Sequence, residues 1–269
     1  FIIYGMITGE SIGDLFLSGI VPGLIFGFML CIMVFIKSKK NGWKGETQRA
    51  SLKEIGRLFL DTIWGLLSPV IVLGGIYSGL FTPTEAAAVA VVYSLIVGIF
   101  IYKELRLAEL KETLFSTAKT TGMILLIIMN AGIFSWVLTQ QGIAASLTEM
   151  ALALTDNKYI MLVIINIVFL CAGCVMDNTS ALYILVPIIM PIAKALDINM
   201  IQLGVILVLN LSIGQVTPPV GPNLYVAADI GKVKFEEICR KMVPLLLMSL
   251  LALLCITYIP ALSLCLIPS

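Results

Sequence analysis

Long apolar runs separated by short polar stretches divide this chain, and several of them reach the roughly 20 residues needed to cross a bilayer core. Phe1–Met6 reads as the middle of an apolar helix, Thr8–Asp14 as a polar turn, and Leu15–Ile36 as a spanning helix with Pro22 near its start. Lys37–Lys53 is polar and basic. Ile55–Gly79 is long enough to span, with Arg57 and Asp61 in its first turns at the interface; FTPTE (Phe81–Glu85) interrupts it before an Ala/Val-rich helix, Ala86–Tyr102. Lys103–Lys119 sets leucines among charges and is predicted to lie flat in the interface. Thr121–Thr139 spans, and Gln140–Lys158 is a short polar-flanked helix. Tyr159–Gly173 and Ala181–Ala193 are two short arms on either side of MDNTS (Met176–Ser180). Lys194–Met200 is a turn, Ile201–Ile230 a long apolar segment, Gly231–Lys241 a basic stretch and Met242–Leu262 a last span.

One of these runs breaks its own pattern. Asn210–Leu224, NLSIGQVTPPVGPNL, places Pro218, Pro219, Pro222, Gly214 and Gly221 inside Ile201–Ile230. Proline removes a backbone donor and clashes with the preceding turn, so the helix is predicted to break here. In hydrocarbon, freed backbone groups persist only where protein covers them or they line a wet cavity. A broken helix at mid-depth is a pointer to a transporter's binding site. The alternative is a proline kink in an ordinary packing helix.

Charge then orders the runs. Loops rich in lysine and arginine stay cytoplasmic. Assigning Lys37–Arg57, Lys103–Lys119 and Lys232–Lys241 to that side accounts for all lysines and arginines except Lys158 and Lys194. This requires two crossings between Arg57 and Lys103, with FTPTE at the outer turn. It also requires Tyr159–Ala193 to be a re-entrant hairpin with MDNTS at its tip, rather than one broken crossing. Sliding the chain by 222 residues superposes Gly9 on Gly231, Val21 on Val243, Pro22 on Pro244 and Leu24 on Leu246, so Leu15–Ile36 matches the last span. The charges of the two copies face opposite sides, which predicts inverted repeats. The division expected is 1–54 as the end of a first repeat and 55–269 as a second. The second holds scaffold helices at 55–139, a hairpin at 159–193, a broken helix at 201–230 and a last span at 242–262. The chain opens on FIIYG without methionine or a basic leader, and is expected to be the C-terminal part of a longer protein.

With 59% hydrophobic and 12% charged residues, the composition fits an all-α polytopic membrane protein and no soluble domain of this size; a net charge of +1 gives no reason to expect nucleic acid. There is no histidine, and Cys171 and Cys174 form a C-x-x-C without a second pair, which argues against a zinc or redox site. Paired intramembrane carboxylates and H-E-x-x-H are also missing, so a membrane-embedded enzyme is disfavoured. Asp177 is the sharpest candidate, because a carboxylate at membrane depth must be paired, hydrated or coordinating. Its structural alternative is a cap on the amides of Thr179 or Ser180. Asn178, Thr179 and Ser180 add small polar groups at the same tip, and the break adds Asn210, Ser212, Gly214, Thr217, Gly221 and Asn223. Carbonyls and hydroxyls suit sodium, while half-helix N-termini face an anion. For any one Ser, Thr or Asn here the alternative is an interhelical hydrogen bond. Thr82, Pro83 and Glu85 read as a helix start: cap, first position and dipole complement.

FTPTEAAAVAVVYSLIVG (Phe81–Gly98), MDNTSALYILVP (Met176–Pro187) and IGQVTPPVGPNLYVA (Ile213–Ala227) together resemble the large membrane subunit of TRAP (tripartite ATP-independent periplasmic) transporters, and FIIYGMITGESIGDLFLSGIVPGL resembles the region after the first proline-rich break of that subunit. The resemblance runs through essentially the whole chain. It implies a sodium-coupled elevator importer of the bacterial inner membrane, built from inverted repeats. Its partners would be a small membrane subunit, separate or fused upstream, and a periplasmic substrate-binding protein that delivers an organic acid such as a C4-dicarboxylate or sialic acid. It places substrate by Asp177, Asn178, Thr179, Ser180, Asn210 and Asn223. It places a co-transported Na+ by Gly173, Asp177, Ser212, Gly214, Thr217, Val220 and Gly221. A first hairpin with its own sodium site would precede Phe1. A stand-alone sodium/dicarboxylate symporter, which needs no binding protein, shares hairpins and broken helices and is the alternative within transport.

Overall fold

The computed structural model describes residues 1–43 and 51–267. The part of the predicted basic segment at 44–50, with Lys44, Glu46 and Arg49, lies outside the described residues. All regular elements among the described residues are helical, and seven stretches are long and apolar enough to cross a membrane. The chain forms two compact units, one of Phe1–Gly42 with Ile127–Ser269 and one of Trp43–Leu126.

In the smaller unit, α3 (Leu52–Tyr77) packs on α4 (Pro83–Ile96), which a π-helical turn at Val97–Ile101 prolongs. Tyr93 donates to the Trp64 carbonyl at 2.6 Å and Tyr102 to that of Asp61 at 3.0 Å, so two phenols tie the pair. The FTPTE interruption is a full capping box. The Glu85 amide donates to Thr82 Oγ1 at 3.3 Å, the Thr82 amide donates to Glu85 Oε2 at 2.8 Å, and Pro83 occupies the first turn, where its missing N–H costs nothing. Thr82→Ala is expected to weaken the start of α4 by about 1 kcal/mol and Thr82→Ser to restore it. Faster amide exchange over the first turn of α4 in the alanine variant alone checks this.

α5 (Leu107–Gln140) corrects the sequence reading at one point: the amphipathic Lys103–Lys119 segment and the Thr121–Thr139 span are one 34-residue helix, not a surface helix followed by a crossing. No proline lies between Leu107 and Gln140, and the first glycine is Gly122. A single interior glycine costs about 1 kcal/mol and does not end a helix.

The larger unit contains α1 (Ile2–Thr8), α2 (Ile12–Asn41), α6 (Ile143–Leu154), α7 (Lys158–Val175), α8 (Asn178–Ala195), α9 (Met200–Gly214), α10 (Pro222–Gly231), α11 (Phe235–Tyr258) and α12 (Ala261–Leu264). Its core joins α1, α2, α7, α8, α9 and α11 through Tyr4, Leu15, Phe169, Val186, Leu207, Leu211 and Leu253. Gly9, at φ 79° in the left-handed region, ends α1; Ser11 then caps α2 by accepting from the Asp14 amide at 3.3 Å. The Tyr4 hydroxyl donates to the Met200 carbonyl at 2.6 Å, which ties α1 to the start of α9.

The arms α7 and α8 are eighteen residues each, longer than the sequence reading, because the turn between them is only Met176 and Asp177. Asn178, Thr179 and Ser180 are the first turn of α8, so the second arm begins three residues before Ala181. The late residues of α7 and α9 meet at Gly173 and Gly214, so these helices run in the same direction. α7 and α9 pack directly on each other; α8 runs back from the hairpin turn and enters α9 through a short turn, Leu196–Asn199. The sequence of directions is that of a helical hairpin laid against α9.

The 222-residue offset also aligns helix starts. Shifted by it, α10 falls on α1 and α11 on α2, with Pro22 and Pro244 at equivalent positions inside the two long helices. α2 and α11 pack together, and Lys37 near the end of α2 reaches the Lys241 carbonyl near the start of α11, so they are antiparallel.

Candidate functional site: a hairpin tip on a helix break

The unwound segment is narrower than the sequence reading. α9 stays helical through Gly214, and the irregular backbone is Gln215–Gly221. The three prolines account for its far limit: Pro218 and Pro219 carry no N–H to continue α9, and Pro222 sits in the first turn of α10. Gly221 adopts φ 48°, which favours glycine, and hands the chain into α10.

The break lies against the end of the first hairpin arm. A Cβ added to Gly173 would stand 3.0 Å from the Leu211 carbonyl oxygen and 3.1 Å from Gly214 Cα; one added to Gly214 would stand 2.6 Å from Gly173 Cα. These are backbone-to-backbone approaches, and only a pair of glycines permits them. The Gly221 amide closes the joint by donating to the Cys174 carbonyl at 3.3 Å. Gly173, Gly214 and Gly221, three of the positions expected at a sodium site, are therefore brought together at one place.

Asp177 caps α8. Its Oδ2 accepts from the Ser180 amide at 3.1 Å and its Oδ1 accepts from the Ser180 hydroxyl. The structural alternative weighed for Asp177 is thus realised at Ser180, and the carboxylate remains exposed at the tip. Asn178 and Thr179 face a cavity of about 250 Å³, also lined by Phe1, which precedes α1, by Ile2 and Ile3 of α1, Phe16 of α2, Leu182 of α8, and Val208 and Leu211 of α9. The Asn178 Oδ1 is buried and has no hydrogen-bond partner.

The residues of the break divide. The Thr217 hydroxyl donates to the Ile213 carbonyl at 2.7 Å and the Ser212 hydroxyl to the Val208 carbonyl at 2.8 Å, which leaves the lone pairs of both oxygens to accept or coordinate. Asn223 bridges the break: its amide donates to the Gln215 carbonyl at 3.2 Å and its Nδ2 to Gln215 Oε1 at 3.1 Å. Val220 is partly exposed. Asn210 is fully buried inside the α9 helix, below the break. Its Nδ2 donates to the Asn166 carbonyl at 2.9 Å and to Asn166 Oδ1 at 2.8 Å. The Asn166 Nδ2 donates to Thr257 Oγ1 at 3.1 Å, and the Gln202 Nε2 to the Thr257 carbonyl at 3.1 Å.

This buried chain of amides links α7, α9 and α11, and sequence reasoning missed all of it except Asn210. Asn166 carried a signal: it is the single amide in the apolar arm Tyr159–Gly173. An unpaired amide in hydrocarbon is costly enough that a partner is required. Thr257 and Gln202 carried none, since a hydroxyl or a helix-end amide is common in any span.

The description "Tripartite ATP-independent periplasmic transporter, DctM component" belongs to the family profile that matches residues 1–262. Among relatives, the C4-dicarboxylate TRAP transporter large permease protein DctM of Pseudomonas aeruginosa is 42% identical over 98% of this chain and 62% of its own length. The isethionate TRAP transporter permease protein DctMQ of Oleidesulfovibrio alaskensis is 40% identical over 97% of this chain and 41% of its own. The sialic acid TRAP transporter large permease protein SiaM of Vibrio cholerae is 36% identical over 98% and 61%. The chain thus spans between two fifths and two thirds of the length of these relatives. With the proline break, the hairpin on it and seven apolar spans in one helical fold, the match identifies an integral membrane protein of the TRAP transporter DctM family.

Proposed function

We propose that this chain carries one half of the translocation site of a sodium-coupled TRAP transporter of the bacterial inner membrane. One observation carries the reading: the hairpin end at Gly173–Cys174 is seated directly on the break at Gly214–Gly221. Irregular backbone at membrane depth needs either cover or a ligand. The oxygens we assign to the ion are carbonyls of the break, the hydroxyls of Ser212 and Thr217, and one carboxylate, Asp177. Among the described residues no three His, Cys, Asp or Glu side chains converge. Such a set is hard, oxygen-rich and low in charge, which suits Na+ as a transported ion. The positive end of the α10 dipole at the break supplies the complement for an organic anion; that of α8 is already faced by the Asp177 carboxylate. The transported C4-dicarboxylate, sialic acid and isethionate in the relatives' names are all small acids. The partners are a small membrane subunit, separate or fused, and a periplasmic binding protein. In an elevator cycle the unit built on the hairpin moves as one body.

Uptake by the full-length protein in liposomes, with a panel of organic acids, with and without a sodium gradient and the binding protein, tests this. Transport without sodium dependence or without any binding protein overturns it. Asp177→Asn is the informative variant, because asparagine caps a helix as well as aspartate does. It keeps an acceptor for the Ser180 amide, removes the charge, and leaves the Ser180 hydroxyl to turn and accept from the new NH2. Asp177→Asn and Thr217→Val are each expected to lower uptake at sub-saturating sodium by about tenfold or more, the scale on which loss of a supporting group weakens metal binding. Both proteins are expected to stay folded in detergent. Wild-type sodium dependence in both would place the ion elsewhere.

A further inference from the structure

The antiparallel crossing of α2 and α11 brings together two changes of character that lie far apart in sequence. On α2 an apolar run ends at Ile36 and is followed by Lys37, Lys39 and Lys40. On α11 the charged residues end with Arg240 and Lys241, and the apolar run begins at Met242. The two transitions lie at one level, because the Lys37 Nζ donates to the Lys241 carbonyl at 2.8 Å. Pro244 opens this turn of α11, since it has no N–H for the Arg240 carbonyl. On one side of that level the exposed side chains are apolar, among them Phe28 and Phe35 of α2 and Leu247 of α11. On the other they are cationic.

The carboxylates near this level do not cancel the cations. Glu237 pairs with Lys241 at 2.6 Å, and Asp229 with Lys232 at 3.6 Å in the turn before. Glu236, in the first turn of α11, lines one recess with Lys234 and Arg240 but forms no ion pair with either. Among the described residues Lys37, Lys39, Lys40 and Arg240 take part in no ion pair. Lys37 spends one of its three N–H donors on the carbonyl and keeps two. Four cations held at the boundary of an apolar two-helix surface match one kind of ligand, an amphiphile with an anionic phosphate head and acyl tails.

We propose that the α2–α11 crossing is a binding site for an anionic phospholipid, with the phosphate held by Lys37, Lys40 and Arg240 and the acyl chains along the exposed apolar side chains of both helices. Native mass spectrometry of the full-length protein with equimolar phosphatidylglycerol and phosphatidylcholine tests it. Wild type is expected to retain phosphatidylglycerol over phosphatidylcholine. Each basic residue near a charged surface is worth about fivefold in binding, so Lys37→Gln/Lys40→Gln/Arg240→Gln is expected to weaken retention on the order of a hundredfold. Lys40→Gln, at an exposed position without an ion pair, is expected to weaken it about fivefold and serves if the triple variant does not fold. Lys37→Arg/Lys40→Arg is expected to restore it. Equal retention of the two lipids, or undiminished phosphatidylglycerol in Lys40→Gln and the triple variant, overturns the assignment. So does inorganic phosphate that displaces the lipid at low millimolar concentration, which would mark a phosphate site without a lipid component.

Discussion

Asn210→Asp is expected to be the most destabilising single-atom-scale change in this chain. The Asn210 Nδ2 donates to two acceptors, the Asn166 carbonyl and Asn166 Oδ1, and the side chain is fully buried. An aspartate sets a carboxylate oxygen against both of them. Ionised, it is a buried charge without a partner, the situation that costs about 3–5 kcal/mol when one member of a buried pair is removed. Protonated, it offers one O–H to two acceptors. Asn210→Leu is the gentler comparison: it strands Asn166 Oδ1, at about 1–3 kcal/mol for a buried group left unsatisfied, while the Asn166 carbonyl keeps its bond within the α7 helix. Thermal unfolding of the full-length protein in detergent, with retention of monodispersity, is the measurement. Equal stability of wild type, Asn210→Leu and Asn210→Asp would show that the amide chain does not hold α7 on α9.

Gly214→Ala gives the second large effect, and here the sign is the test. Within an isolated helix alanine is favoured over glycine by about 1 kcal/mol. In this fold the new methyl would stand 2.6 Å from Gly173 Cα and 2.7 Å from its carbonyl carbon, and neither backbone atom can rotate away. The hairpin end must move off α9 or the break must re-form, at the roughly 1–3 kcal/mol typical of overpacking. Gly214→Ala is therefore expected to lower thermal stability and to abolish sodium-dependent uptake. Gly173→Ala, with its Cβ 3.0 Å from the Leu211 oxygen, is expected to follow in milder form. Increased stability in Gly214→Ala would mean that the two backbones are not in contact.

Much of this architecture was legible in the chain. The apolar runs located the long helices, FTPTE the cap of α4 and the prolines the break; the last helix, α11, begins at Phe235 inside the basic stretch Gly231–Lys241 and not at Met242, because charged residues continue a helix as well as apolar ones. Under the 222-residue offset the starts of two helix pairs agree to within two residues, while α2 runs five residues beyond the equivalent end of α11. The errors share one cause, the reach of local patterns. Lys103–Lys119 looked separate from Thr121–Thr139 because polarity changes there, yet polarity does not end a helix when no residue breaks it. MDNTS reads as the whole tip between arms that end at Gly173 and resume at Ala181, yet one capping aspartate lets the helix restart at Asn178.

The candidate site was legible as a list and not as an arrangement. Composition and spacing nominated Asp177 as the sharpest candidate and set Asn178, Thr179, Ser180, Asn210 and the residues of the break beside it without an order among them. Tertiary structure sorted them. Gly173, Gly214 and Gly221 meet because two backbones touch; Asp177 and Ser180 satisfy each other; Asn178 and Thr179 open on a cavity with α1; Asn210 turns away to Asn166. The sequence by itself determined which segments are helical and apolar and where a helix must stop, because those follow from nearest-neighbour backbone chemistry and from the length of apolar runs. Which polar groups face one another was decided only by the packing of helices more than forty residues apart. An amide hydrogen bond such as Asn166 to Asn210 leaves no periodic trace in either strand of sequence that makes it.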